Sequence, residues 1–587
     1  MAGVVSPATS DTRSSTKLSG QPPAKEKLEM TAITDMVELA IHGDVAVLLV
    51  DNPPVNALSR GVRDGLLEGV TQADADDSVK AILILCKGRT YIAGADIREF
   101  GEAAGGASLY AVQNALERAS KPTLSAIHGT ALGGGLETAL ACHFRVAVAT
   151  ARFGLPEVKL GLLPGAGGTQ RLPRVVGARK ALEMMTSGDP IGTDLALETG
   201  LIDEIVDDLL EGGLAFANKV VAEGRKLVKV RDDESKLEVA RGDTSLFSDF
   251  RKSIARKTRG FEAPEAIIQC IEDAVNKPFD EGMKGERERF ATLVGGEQSA
   301  AQRYYFFAER QARKLPDVPA DTQQIQIDKV GMIGAGTMGG GISMNFLNAG
   351  IPVTIVETKQ EALDRGLAVI RKNYERTASK GRISQQDVED RMALLTPSLA
   401  LEDLADCDLI IEAVFESMKL KQEIFARLDS IAKPGAILAS NTSALNLNEI
   451  ASATTRPESV IGLHFFSPAN VMNLIEIVRG EKTSNELLAT SMSLAKRIGK
   501  AAAVSGVCPG FIGNRMLAKR GEQAQKMIFE GPMPWDVDRV LFDFGFPMGP
   551  FAMSDLAGLD IGWNREKSNG KTLRDRLCEL DRRGQKT

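Results

Sequence analysis

The chain has 587 residues, a formal charge of −7, 43% hydrophobic and 25% charged residues, the balance of an ordinary globular protein of about four domains at roughly 150 residues each. The mild acidity argues against a broad nucleic-acid footprint, which needs a basic face, and no apolar run approaches the ~18 residues of a membrane helix. Six cysteines without a CxxC pair read as reduced, mostly buried thiols, with no disulfide framework and no metal site.

Residues 1–35, rich in Ser, Thr, Lys and Pro, lack an apolar h-region and read as a flexible tail. Asp11, Glu26 and Glu29 spoil the acid-poor signature of a mitochondrial presequence. From 36 to 225, short apolar strands (VAVLLV at 45–50, AILIL at 81–85, TLSAI at 123–127) alternate with glycine-rich turns and helical stretches, an α/β layer pattern. Three turns stand out: AGAD at 93–96, the triple glycine 133–135 with Glu137 behind it, and GAGG at 165–168 with Glu157 before it. Two glycine-rich turns that precede helices can aim backbone N–H groups at one oxygen, an oxyanion hole suited to a thioester carbonyl becoming an enolate. Glu137 and Glu157 can hold a water between them, one carboxylate removing its proton while the other, protonated, supplies a proton to carbon. By spacing alone, two surface glutamates are the commoner case. His143, in the apolar run ALACHFRVA, reads as a core histidine rather than a catalyst, as do His42 and His128.

AGAD, HGTALGGGLE and PEVKLGLLPGAGGTQRL together resemble the enoyl-CoA hydratase/isomerase, or crotonase, superfamily over residues 36–225. The resemblance implies a ββα spiral core, Glu137 and Glu157 as the catalytic acid/base pair, and the N–H groups of Ala95 and Gly134 as the oxyanion hole. Superfamily members that only shift a double bond commonly keep one carboxylate, at the position of Glu157. The pair therefore implies hydration, with Δ3–Δ2 isomerisation as a side activity. Arg98 reads either as a contact for CoA phosphates or as part of a solvated helix face.

Residues 226–322 are charged and helical in pattern and read as a linker; βα alternation resumes over 323–506, and 507–587 is again helical. After the strand KVGMI, Gly334, Gly336 and Gly339 form GxGxxG and open a helix, and a second strand, VTIVE, ends at Glu357. The glycines allow a tight turn, close approach of a pyrophosphate and close helix–strand packing, and the acid can accept from a ribose 2′-OH while repelling a 2′-phosphate, so the expected cofactor is NAD. His464 lies just after a predicted strand, and Glu476 follows in the strand-like LIEIV. They read either as a base with a carboxylate that steadies its imidazolium, or as a core histidine and a surface glutamate.

SNTSALNLNEI, GLHFFSPANVMNLIEIV, CPGFIGNRML and FGFPMGPFAMSDLAGLD resemble the L-3-hydroxyacyl-CoA dehydrogenases over about 325–587. The resemblance implies a Rossmann-type doubly wound sheet with an α-helical C-terminal domain, His464 as the base and Glu476 as its partner. It places Ser443 and Asn514 at the substrate's hydroxyl or thioester oxygen, and Glu412 and Lys419 on the cofactor side. Ser and Asn otherwise cap helices and turns. The two halves together resemble the multifunctional enzymes of fatty-acid β-oxidation, acting on acyl-CoA thioesters, with thiolysis left to a separate thiolase. Relatives carry a second helical domain of the 509–587 kind, which is expected to be missing here. A bacterial cytoplasm fits the reduced cysteines, and the terminal QKT does not match the peroxisomal SKL signal. A binding module with vestigial sites is the alternative of a different class, and the intact Glu137, Glu157, His464 and Glu476 argue against it.

Overall fold

The computed structural model of the chain describes residues 30–96, 105–560, 563, 570 and 572–584. It divides into two compact units, Met1–Gln302 and Arg303–Thr587.

Among the described residues, the first unit carries β1 (Thr31–Thr34), β2 (Val37–His42), β3 (Val45–Val50), β4 (Ala81–Cys86), β5 (Thr123–Ile127), β6 (Thr130–Leu132), β7 (Phe144–Ala147), β8 (Arg152–Gly154), β9 (Ile191–Gly192) and β10 (Glu204–Ile205). They form a large sheet in the order β1-β2-β3-β4-β5-β7-β10 and a small one, β6-β8-β9. The first three strands meander antiparallel; from β3 onward the large sheet is parallel. Parallel strands are covered on both faces, and every residue of β4 is accordingly buried. Its side chains alternate between two cores: Ile82 and Ile84 join Leu48 and Leu66, while Leu83 and Leu85 join Val47 and Phe216.

Two expectations are corrected here. The tail was expected to run to residue 35, yet Thr31–Thr34 pairs with β2, Thr31 standing opposite Leu39. As an edge strand with no fully buried position, it lacks the alternation that marks a strand in sequence. The segment 226–322 is also not wholly a linker. Helices Ala263–Asn276 and Phe279–Val294 pack on Gly168–Val176. Ile267, Ile268 and Ile271 complete the same core as Leu172 and Leu182. Most charges of these helices lie on their outer faces, around an apolar stripe that needs a partner, while Asp273 and Glu286 are buried.

The second unit carries β11 (Val330–Ile333), β12 (Val353–Val356), β13 (Leu395–Ser398), β14 (Leu409–Glu412), β15 (Ile437–Ser440), β16 (Val460–Phe465), β17 (Leu474–Arg479) and β18 (Ala501–Gly506). Their order is β13-β12-β11-β14-β15-β16-β17-β18, parallel except for the β16–β17 pair. Strand order reverses between β11 and β14, which opens a crevice at their carboxyl ends, where doubly wound sheets bind ligands. Helices Gly513–Glu530, Pro534–Phe544, Pro550–Ala557 and Leu573–Glu579 follow β18, and Phe529, Trp535, Val540 and Phe544 remain exposed on them. No helix among the described residues is long and apolar enough to cross a membrane.

Candidate active sites

In the first unit, Glu137 rides on the buried helix Gly134–Ala141, which starts at the triple-glycine turn. Its Oε1 accepts hydrogen bonds from the N–H groups of Ala166 and Gly168, each at 2.8 Å. Burial pushes its pKa up, while those two N–H groups and Arg171 pull against the rise. Arg171 is itself held by Glu117 at 2.8 Å in a buried ion pair. Glu157 sits on the single turn Pro156–Leu160. Its Oε2 is shut away from solvent without a hydrogen-bond partner, and burial, followed by the nearby charge of Glu137, raises its pKa well above the ordinary value. The two acids thus differ in setting: backbone donors and Arg171 favour the charge on Glu137 against burial, whereas burial and the charge of Glu137 both disfavour it on Glu157.

The same centre brings the Ala95 nitrogen close to the triple-glycine turn. Gly133 adopts φ +52°, and a Cβ there would press within 2.9 Å of Glu157 Oε1, so only glycine lets the turn pass beside the acid. A Cβ on Gly134 would stand 3.4 Å from the Ala95 nitrogen. Ala95 bridges to Leu58 in parallel, and that bridge uses the Gly94 carbonyl, which accepts from Leu58 N at 3.0 Å. The Ala95 N–H is left off that ladder. The structure therefore brings Ala95, Gly134, Glu137 and Glu157 to one centre. Arg98 lies outside the described residues. His143 takes part in a core network, its Nδ1 lying 2.9 Å from Thr123 Oγ1, and burial lowers its pKa to about 4.

In the second unit, the turn after β11 leads into the helix Thr337–Asn348, which begins at Gly336 with no side-chain cap, so its first N–H groups remain for a ligand. A Cβ on Gly339 would lie 1.8 Å from the Gly334 carbonyl oxygen, whereas one on Gly336 would meet no atom within 4 Å. Helix and strand are thus pressed together under a turn whose outer side is open, the shape a pyrophosphate needs. Glu357, at the end of β12, accepts from Ala335 N at 3.2 Å and Thr358 N at 2.7 Å. The residues fit NAD.

His464 and Glu476 face each other across the antiparallel β16–β17 pair. Nδ1 and Oε2 are 2.6 Å apart. Glu476 Oε1 accepts from Gly513 N at 2.6 Å and Ile512 N at 3.1 Å, which latches the start of the helix bearing Asn514 to the same carboxylate. Burial opposes ionisation of Glu476, but the His464 and Gly513 hydrogen bonds outweigh it and hold its pKa below the usual range. An ionised carboxylate can only accept, so Nδ1 carries the hydrogen of this bond and Nε2 takes no part in it. Asn441, two residues before Ser443, accepts at its Oδ1 from Phe465 N, next to His464, at 2.8 Å.

Glu412 and Lys419, which the resemblance puts on the cofactor side, stand in different settings. Glu412 is wholly buried, taking Lys421 Nζ at 2.7 Å and Ser440 Oγ at 2.7 Å. The Lys419 side chain is 89% exposed, 4.0 Å from Glu423. Glu416, which no motif singled out, holds the Ser443 turn. It accepts from Thr442 Oγ1, Ser443 N and Ser443 Oγ at 2.7, 2.8 and 3.1 Å and pairs with Lys421 at 3.3 Å. Burial works against its charge, and the Thr442 hydrogen bond and Lys421 overcome it. Two glutamates and two lysines within ten residues of sequence offered no signal to choose between them.

Residues 40–246 match the family described as enoyl-CoA hydratase/isomerase. Residues 329–507 match the 3-hydroxyacyl-CoA dehydrogenase NAD binding domain and 510–586 the 3-hydroxyacyl-CoA dehydrogenase C-terminal domain. The peroxisomal bifunctional enzyme of Danio rerio is 42% identical over 572 residues, covering 93% of this chain and 79% of the relative. The protein of the same name from Homo sapiens is 41% identical over 573 residues, with 93% and 79% covered. The fatty acid oxidation complex subunit alpha of Shewanella halifaxensis (strain HAW-EB4) is 35% identical over 569 residues, with 92% and 80% covered.

Proposed function

The chain belongs to the bifunctional fatty-acid β-oxidation enzymes, in which an enoyl-CoA hydratase is joined to a 3-hydroxyacyl-CoA dehydrogenase, and on that premise we propose which of its residues carry each step. The enzyme hydrates a 2-enoyl-CoA to a 3-hydroxyacyl-CoA and oxidises that product with NAD to the 3-oxoacyl-CoA.

For hydration, Glu137 takes the proton of the attacking water, whose oxygen joins the β-carbon. Glu157 gives its proton to the α-carbon. The N–H groups of Ala95 and Gly134 hold the thioester oxygen while it carries the negative charge. The observation that carries this assignment is the unequal setting of the two acids, Glu137 anchored by two backbone donors and Glu157 Oε2 buried without any.

For oxidation, His464 Nε2 takes the hydroxyl proton, and Glu476 steadies the imidazolium that results. Bound NAD supplies the hydride acceptor. Gly334, Gly336 and Gly339 would hold its pyrophosphate and Glu357 its adenosine ribose. Ser443, positioned by Glu416, and Asn514, positioned behind Gly513, orient the substrate oxygens. Thiolysis of the 3-oxoacyl product falls to a separate thiolase. The six free cysteines support a reducing compartment, in keeping with the bacterial cytoplasm read from the sequence; fractionation of the cells that make the chain tests it.

Crotonyl-CoA plus NAD, followed at the NADH absorbance, tests the whole sequence. NADH should appear after a lag that grows as hydration is slowed. No NADH from crotonyl-CoA, while 3-hydroxybutyryl-CoA still yields it, would remove the hydratase half of the reading.

A further inference from the structure

Glu286 lies on the helix Phe279–Val294, beyond the 40–246 stretch that matches the hydratase family. It is fully buried. Its Oε1 accepts from Gly167 N at 2.7 Å, and its Oε2 accepts from Thr169 Oγ1 at 2.5 Å and Thr169 N at 3.2 Å. The neighbouring amides of Ala166 and Gly168 go to Glu137. Four consecutive N–H groups are therefore shared alternately between two buried carboxylates, one on each side of the turn. Neither acid can move without loosening the segment that holds the other.

The Glu286 helix is seated closely enough to do this. One helical turn before Glu286, a Cβ on Gly282 would fall 2.0 Å from Gln170 Oε1, so the helix rests on the one that begins at Gly168. Gln170 Nε2 in turn donates to the Cys270 carbonyl at 2.9 Å. The support is rigid on both sides, as a precise site requires.

We propose that Glu286 is a positioning residue of the hydration step, which acts by clamping the 165–169 turn so that Ala166 and Gly168 hold the Glu137 carboxylate in its reactive place. The proposal rests on the reading of Glu137 and Glu157 as the catalytic pair. Clamping brings an electrostatic consequence. The groups facing Glu286 are Glu137, Arg171, Cys270 and, farther off, Tyr110 and Glu157. Burial and then the charge of Glu137 raise the Glu286 pKa to about 8. As Glu286 ionises above neutral pH, its charge holds the proton on Glu157 more firmly and extends the range in which the acid is loaded.

The test compares Glu286→Gln and Glu286→Ala in the full chain, using crotonyl-CoA hydration across pH, with NADH formation from 3-hydroxybutyryl-CoA as the reference reaction. Glu286→Ala should lower the hydration kcat by about 10²-fold with KM within about threefold. Glu286→Gln, nearly isosteric, should keep kcat within about tenfold and move the alkaline limb of kcat/KM to lower pH by roughly half a unit or more. A Gln profile superimposable on wild type, or an Ala variant with wild-type kcat, overturns the proposal. If the Ala variant does not fold, the Gln pH profile decides alone. Glu157→Gln run beside them separates the two readings: full hydration by that variant removes the catalytic pair itself, whatever Glu286 does.

Discussion

Glu137, Glu157 and Glu286 in the hydratase centre are buried against one another, whereas Glu476 in the dehydrogenase centre is buried against His464. In the first case burial raises the pKa of all three acids, and the charge of Glu137 raises those of Glu157 and Glu286 further, which favours keeping a proton in store. In the second, the imidazole and two backbone N–H groups keep the carboxylate charged despite its burial. The difference follows the chemistry. Hydration must deliver a proton to carbon near neutral pH; oxidation must take one from a hydroxyl and bear the positive charge left behind. One side-chain type thus serves two purposes, and the partner it is buried against sets which.

The sharpest way to break this contrast is to remove one member of each centre. Glu157→Gln should lower hydration by about 10³-fold while leaving NAD reduction from 3-hydroxyacyl-CoA intact, and His464→Gln should do the reverse. Half-reactions assayed separately check it, and a variant that loses both equally would show that the centres are not independent.

Next in size is the buried ion pair below the dehydrogenase crevice. Lys421→Met leaves Glu412 buried without its cation, which should cost about 3–5 kcal/mol. Denaturant unfolding should show it, and adding Glu412→Gln should restore part of the loss; no loss in the single variant would mean that Lys421 is not what neutralises Glu412.

The contrast also carries opposite pH signs. The three hydratase acids have folded pKa values above the ordinary 4.5. Their contribution is therefore fully present below 4.5 and is lost as pH climbs, for Glu286 through about 8. Glu476 lies below 4.5; its contribution is present above 4.5 and is lost as pH falls. Hydrogen exchange corrected for intrinsic rate should show the 134–141 and 168–176 helices loosening toward pH 8 and the β16–β17 pair loosening below pH 4.5. The same trend in both regions would erase the distinction. The smallest effect is expected at Lys419, where substitution by Ala should change stability by no more than about 0.5 kcal/mol and leave the KM for NAD unaltered.

Much of each site was legible because its chemistry is local. The 334–339 turn, the triple glycine before Glu137 and the helices they open depend on backbone conformation over a few residues. The twelve-residue interval between His464 and Glu476 became a contact because a hairpin pairs residues by register. Other features were out of reach. Glu412 closes strand β14 and Glu416 falls four residues beyond it, and that decides which one is buried with Lys421 and which one holds Ser443. Strand β1 showed no alternation because its edge position buries no full face.

By itself the sequence determined the two chemistries and the cofactor, since the motifs that carry the family resemblance and the glycine turn are short-range properties, and it nominated the groups that we propose to bear them. Only the tertiary structure decided which carboxylates share a site and what sets their protonation. Glu286 is 119 residues from the glycine whose N–H it accepts, and no local pattern encodes that meeting. It arises where an apolar helix stripe buries itself on the hydratase core and carries a charged residue in with it, where the cost of desolvation makes every neighbour count.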